Sequence, residues 1–344
     1  MDLKHKYSKV ILAAIGMVVL ILDSKTALEG AAEGLTLCTH TVIPALFPFV
    51  FLSTILTNTL SGSQISILRP IGRFCGMPAG SESYFLVGIL GGYPTGAACI
   101  ANGYRNGQLS KGQAELLLGF CSNAGPAFLF GMAGHLFSCP YIPWILWATQ
   151  IVSALVVGFL LTKPCSNGKN LQLSDNTISQ SPFNHTLRVM ASICGWVILF
   201  RILICFCDRW FLWLFPTELR CVFTGLLELS NGCCSLAALT SEAMRFLILS
   251  CFLAFGGFSV TMQTVSVTEG LSLRWYLIGK ILQTTLSFLL SIIALPLVFQ
   301  NIPTFPVTGA GLSLLIFVTL LVFLSLLKKT VAIPATVLYN SKKP

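Results

Sequence analysis

Residues 85–134 read FLVGILGGYPTGAACIANGYRNGQLSKGQAELLLGFCSNAGPAFLFGMAG, a stretch apolar enough for a membrane and too interrupted to cross one as a plain helix. Gly91 and Gly92, then Pro94 between Tyr93 and Thr95, then Asn123, Gly125 and Pro126 cut it. A lipid-facing span carries Leu, Ile, Val and Phe without such breaks. Irregular backbone at membrane depth is tolerated only where protein buries it or a wet cavity meets it, because freed N–H and C=O groups find no partner in hydrocarbon. The stretch therefore reads as half of a binding site.

Composition sets the class. Of the 344 residues, 55% are hydrophobic and only 10% charged, and the mean hydropathy is +0.82; a soluble domain carries about 25% charged residues. This is a polytopic all-α membrane protein. The longest polar run, residues 162–184, is rich in Ser, Asn and Gln without hydrophobic periodicity and reads as a linker. A net charge of +9 does not point to nucleic acid, because the basic residues stand singly or in pairs beside apolar spans, where they set orientation. The thirteen Cys lack CxxC spacing and lie mostly inside apolar stretches, as packing residues do. No HExxH, GxSxG or GxxxxGK[ST] signature is present, and the chain reads as a non-enzyme.

Hydropathy predicts about eight spanning helices, near 7–22, 36–57, 114–135, 141–161, 187–206, 246–267, 276–298 and 309–327. Between them, residues 82–106 and 220–241 read as re-entrant hairpins. With the amino terminus inside, Lys4, Lys6, Lys9, Arg69, Arg73, Arg105, Lys111, Lys163, Lys169, Arg188, Arg274, Lys280, Lys328, Lys329, Lys342 and Lys343 fall on the cytoplasmic side. Only Lys25, Arg209, Arg220 and Arg245 fall outside, as the positive-inside rule asks. Both termini are then cytoplasmic. The expected organisation is an N-terminal helix and outer loop (1–35), a first half (36–161), a polar linker (162–186), a second, inverted half (187–298), and a C-terminal helix with a basic tail (299–344).

An internal repeat supports the inversion. LVGILGGYPTG at residues 86–96 sets beside FTGLLELSNG at 223–232, and FCSNAGP at 120–126 beside FLAFGG at 252–257. Each half reads span, hairpin, span, span, and an odd number of spans per half turns the second half over. Interrupted apolar segments at corresponding positions of two halves are the sequence pointer to a transporter site.

Four blocks, GGYPTGA at 91–97, FCSNAGP at 120–126, GLLELSNG at 225–232 and FGGFSVTMQ at 255–263, resemble in order and spacing the nucleoside-recognition or Gate-domain superfamily of bacterial membrane proteins. Within it they look most like the YlbJ-type sporulation integral membrane proteins (stage V sporulation protein V). The sequence departs from that pattern at Ala98, where the family commonly has Lys, and at CSNAGP, where it commonly has CNNSGP. The resemblance implies transport related to concentrative nucleoside carriers and, for the sporulation branch, movement of dipicolinic acid from mother cell towards forespore across the outer forespore membrane.

Glu228 is the leading single residue. An ionisable group among apolar neighbours in a membrane is expensive and is a site by default; its role is a proton- or cation-coupling group or an acceptor for substrate. Ser230 and Asn231 follow it. Tyr93, Thr95, Gly96, Ser122, Asn123 and Gly125 form the opposing set, where half-helix N-termini present N–H donors suited to a carboxylate. Ser259 and Gln263 share a helical face at i and i+4, which suits either a cavity wall or interhelical hydrogen bonds. Glu115 reads as a first-turn surface charge near Lys111, and Arg201 as a snorkelling residue or a partner of Asp208.

The expected function is secondary transport of a small anionic or heterocyclic solute, dipicolinate first, with a nucleoside carrier and a non-transporting spore-envelope scaffold as alternatives. No cofactor or metal is expected, a proton or sodium ion is the expected coupling ion, and assembly into an oligomer is compatible with this reading.

Overall fold

Apolar residues cover whole helices here instead of one stripe, as they must where the solvent outside is itself hydrocarbon. The computed structural model describes residues 3–60, 65–78, 80–162 and 181–299, and among them there is no strand. In chain order the helices are α1 Leu3–Leu22, α2 Ser24–Leu37, α3 Ile43–Leu60, α4 Arg69–Phe74, α5 Glu82–Gly91, α6 Thr95–Arg105, α7 Lys111–Leu118 and α8 Pro126–Phe128. They continue as α9 Ile142–Leu161, α10 Pro182–Trp210, α11 Thr217–Leu227, α12 Leu229–Ser235, α13 Glu242–Phe255, α14 Gly257–Val267 and α15 Arg274–Val298. The chain divides into two compact units, Met1–Ser291 and Ile292–Pro344, the second described only over 292–299.

Five stretches among the described residues are long and apolar enough to cross a membrane: Ser24–Leu56, Ile142–Leu161, Pro182–Trp210, Glu242–Val267 and Arg274–Pro296. Their outer faces leave large apolar side chains uncovered, such as Phe49 and Leu52 on α3, Val152 and Phe159 on α9, and Leu199 and Leu203 on α10. In water such a surface would aggregate; in a bilayer it is the lipid contact. Trp144, Trp210 and Trp213 stand exposed near helix ends, where aromatic residues meet the headgroups.

Several expectations are corrected. Residues 23–35, expected as an outer loop, belong instead to helix α2, which is started by Asp23, whose carboxylate accepts from Thr26 N, and packed on α10 through Gly30 and Gly34. The sequence hid this because Glu29 and Glu33 look like loop charges; instead Glu33 pairs with Arg201 at 2.5 Å and Asp23 with Arg209 at 3.0 Å. Asp208, the partner expected for Arg201, pairs with Arg220. By contrast, the break expected at residues 120–126 inside the span 114–135 is present: α7 stops at Leu118 and the α-helix resumes only at Pro126. The break expected at residues 252–257 inside the span 246–267 is likewise present, at Gly256, which takes the left-handed conformation, φ +83. The expected linker ends earlier, since α10 starts at Pro182, and the expected span 309–327 and the basic tail lie outside the described residues.

Both expected hairpins double back. A continuous helix would separate residues 88 and 96 by about 12 Å, yet a Cβ on Gly96 would lie 2.8 Å from the Gly88 Cα. In the second pair a Cβ on Gly232 would overlap the Gly225 Cα. Each arm is short, 10 and 11 residues in α5 and α6, 11 and 7 in α11 and α12. At 1.5 Å per residue that is about a third to a half of a 30 Å hydrocarbon core.

Candidate functional site

The first break is built from glycine. α5 ends at Gly91; Gly92 has φ +71, which a residue without Cβ adopts freely; the Tyr93–Pro94 peptide is cis; and α6 starts at Thr95. The break between α7 and α8 lies directly against it. A Cβ on Gly92 would meet Gly125 N at 2.7 Å, and one on Gly88 would overlap the carbonyl oxygen of Cys121. Two irregular segments thus touch backbone to backbone, a contact that larger residues would forbid.

What fixes these segments is polar and buried. Lys280, on α15, is 1% exposed. Its ammonium donates to Tyr93 Oη at 2.8 Å, to Gln283 Oε1 at 2.8 Å and to the carbonyl oxygen of Ser122. The Gln283 amide donates in turn to Asn123 Oδ1 at 2.8 Å, and Asn123 Nδ2 donates to Phe120 O at 2.9 Å. From α9, Gln150 Nε2 donates to Ser287 Oγ at 2.8 Å and to Ser250 O at 3.1 Å. Tyr93 Oη also lies 3.2 Å from Leu253 O and 3.3 Å from Ala254 O, in the last turn of α13. Thr95 Oγ1 and Ser122 Oγ are buried without a hydrogen-bond partner, which marks them as groups a bound polar molecule can engage.

The second break is built differently. Glu228 interrupts the helix in extended conformation, φ −147 and ψ 124, between α11 and α12. It is 2% exposed, and its Oε2 accepts from Asn231 N at 2.7 Å and from Asn231 Nδ2 at 2.8 Å. The carboxylate thus caps α12, at the pole of a helix where negative charge is favoured. None of α6, α8 and α14, the other helices that start at breaks, has a side-chain cap. Gly257, φ +79, lets α14 pass over the hairpin, where a Cβ would meet Gly225 O at 3.1 Å.

Both breaks line one cleft. Gly92, Tyr93 and Gly125 form one side, Glu228, Ser230 and Gln263 the other, and apolar residues of α3 and α10 close it. Its free volume is about 40 Å³, room for a few waters, whereas a cavity that takes benzene measures about 150 Å³. Gln263 donates to Ser259 Oγ at 3.3 Å, so that pair holds itself together while Gln263 also forms cavity wall.

Of the sequence-predicted residues, Tyr93, Gly125, Glu228, Ser230 and Gln263 meet in the cleft. Thr95, Ser122, Asn123 and Asn231 are buried within the breaks, and Gly96 is the hairpin crossing. Glu115 lies apart, accepting from Ser272 N at 2.8 Å. Lys280 was expected at the cytoplasmic edge and is instead buried beside Tyr93, with Gln283 and Gln150. The signal was present: a lysine six residues inside the apolar stretch Arg274–Pro296, with Gln one turn on, is an intramembrane ionisable group. The positive-inside count absorbed it because it stood near a span end.

Compared with known proteins, the chain is 23% identical over 317 residues to the sporulation integral membrane protein YlbJ of Bacillus subtilis (strain 168), covering 76% of each chain. No family model and no solved structure matches it. With that similarity and its five apolar helices, the chain is a multi-pass integral membrane protein.

Proposed function

We propose that this protein is a secondary transporter of a small organic anion, dipicolinate first, acting in the outer forespore membrane of a spore-forming bacterium. The observation that carries this reading is the shared cleft: two doubled-back helix pairs, each crossing at glycine, present their breaks to one cavity with polar groups on both sides. Gly88 and Gly225, which correspond in the two repeats, are both crossing points, which supports two halves of inverted, Gate-like architecture. Broken helices meeting near the midplane are how many carriers hold substrate.

The substrate's carboxylates meet the uncapped N-terminus of α6 and the free hydroxyls of Thr95 and Ser122, with Asn123 and Ser230 adding amide and hydroxyl contacts. Glu228 already occupies the N-terminus of α12, so a substrate anion near it requires that acid to be protonated or turned from its cap. At about 40 Å³ the cleft is closed to a ring, and transport requires one hairpin pair to move against the other.

Proteoliposomes containing the full chain are expected to accumulate labelled dipicolinate. Uptake of nucleosides in its place would move the substrate assignment to a heterocycle carrier. No uptake from a panel of heterocyclic anions and nucleosides would leave the spore-envelope scaffold. The topology is checked by thiol labelling of Asn106→Cys and Thr240→Cys, which should react from opposite sides of the membrane.

A further inference from the structure

Lys280 is not explained by the substrate contacts, and its surroundings are unusual for a lysine. An ammonium has three donors and no acceptor, and here three oxygens from three segments receive them: a hydroxyl from the α5–α6 break, a carbonyl from the α7–α8 break and an amide from its own helix. The Tyr93 ring lies 4.9 Å away, within cation–π range. No ion pair to a carboxylate is formed among the described residues. The titratable groups around it are Tyr93 and Cys121 from the breaks and Tyr276 on its own helix; α9 presents Gln150, and α13 the carbonyls of Leu253 and Ala254, all uncharged. An oxygen cage that includes an unwound-helix carbonyl is the chemistry by which ion-coupled carriers hold a cation.

We infer that Lys280 is this molecule's coupling cation: a tethered ammonium filling the oxygen-lined position at the first pair of breaks, exchanging a proton where other carriers exchange a metal ion. This rests on the transport reading. When protonated, Nζ ties Tyr93, Ser122 and Gln283 together, and through Tyr93 it reaches the end of α13. When Nζ gives its proton to water, the neutral amine keeps two donors for three oxygens and turns a lone pair toward one of them. One tie is lost, which loosens the hold of α15 on the breaks while the bond from Gln283 to Asn123 persists. Tyr93 lines the cleft, so the proton site lies one side chain behind the substrate.

The test uses the full chain in nanodiscs and proteoliposomes. In Lys280→Ala, propylammonium or sodium ion should occupy the emptied cage and raise the apparent Tm by about 3 °C at tenfold saturation, with choline ineffective and wild type unmoved. Absence of a selective rise overturns the cage. Should Lys280→Ala fail to fold, Lys280→Gln and wild type still decide the matter. A proton gradient should drive labelled dipicolinate uptake by wild type without sodium, and Lys280→Gln should lose the gradient response. Uptake that follows a sodium gradient and ignores the proton gradient overturns this inference and leaves transport standing; no uptake of any solute overturns both.

Discussion

The two breaks that face the cleft hold opposite charges by opposite means. At the first, a lysine from a distant helix is surrounded by oxygens, and the irregular segments are gathered onto it. At the second, an acid is the break itself, and its carboxylate caps the helix that follows. The cation is tertiary, depending on four elements meeting, while the anion is local, made within four residues of chain. This difference predicts which site tolerates change and which was visible in the sequence.

Glycine is common to both, and removing it should have the largest effect. Gly88→Val and Gly225→Val force side chains into backbone or an aromatic ring, and each should cost about 3 kcal/mol or more, on the order of 10 °C in apparent Tm. Equal losses at the two positions would sharpen the correspondence between halves; a tolerated substitution at either would break it. Next comes the cation. Lys280→Met leaves three buried oxygens without their donor and should cost about 2 kcal/mol by thermal unfolding in detergent. Glu228→Gln keeps an acceptor for Asn231 N and should cost about 1 kcal/mol or less. A reversed order would refute the tertiary-versus-local contrast. Smallest is Arg201→Ala, which removes a partly exposed ion pair with Glu33 and should change stability by no more than about 1 kcal/mol.

The same contrast explains what the sequence disclosed. Breaks are local events: Gly92, Pro94, the 123–126 turn, Glu228 and Gly256 each announce themselves by residue type, and all of them interrupt helices in the structure. The hairpins follow from the same residues, because apolar arms of 7 to 11 residues are too short to cross. Pairings between distant positions were not legible. Arg201 with Glu33 joins residues 168 apart, and Lys280 with Tyr93 residues 187 apart. Nothing in local composition separates a lysine that snorkels from one that is caged; only the crossing of α15 behind the breaks decides. Helix α2 was missed for a related reason, since Glu33 and the capping Asp23 find their partners, Arg201 and Arg209, on the distant α10.

The most direct measurement compares Glu228→Gln and Asn123→Ala in labelled dipicolinate uptake, at matched amounts of folded protein in proteoliposomes. If both breaks serve one site, Glu228→Gln removes the acid from one half and Asn123→Ala the amide from the other, and each should lower uptake about tenfold or more. Normal uptake in either variant would contradict the shared site.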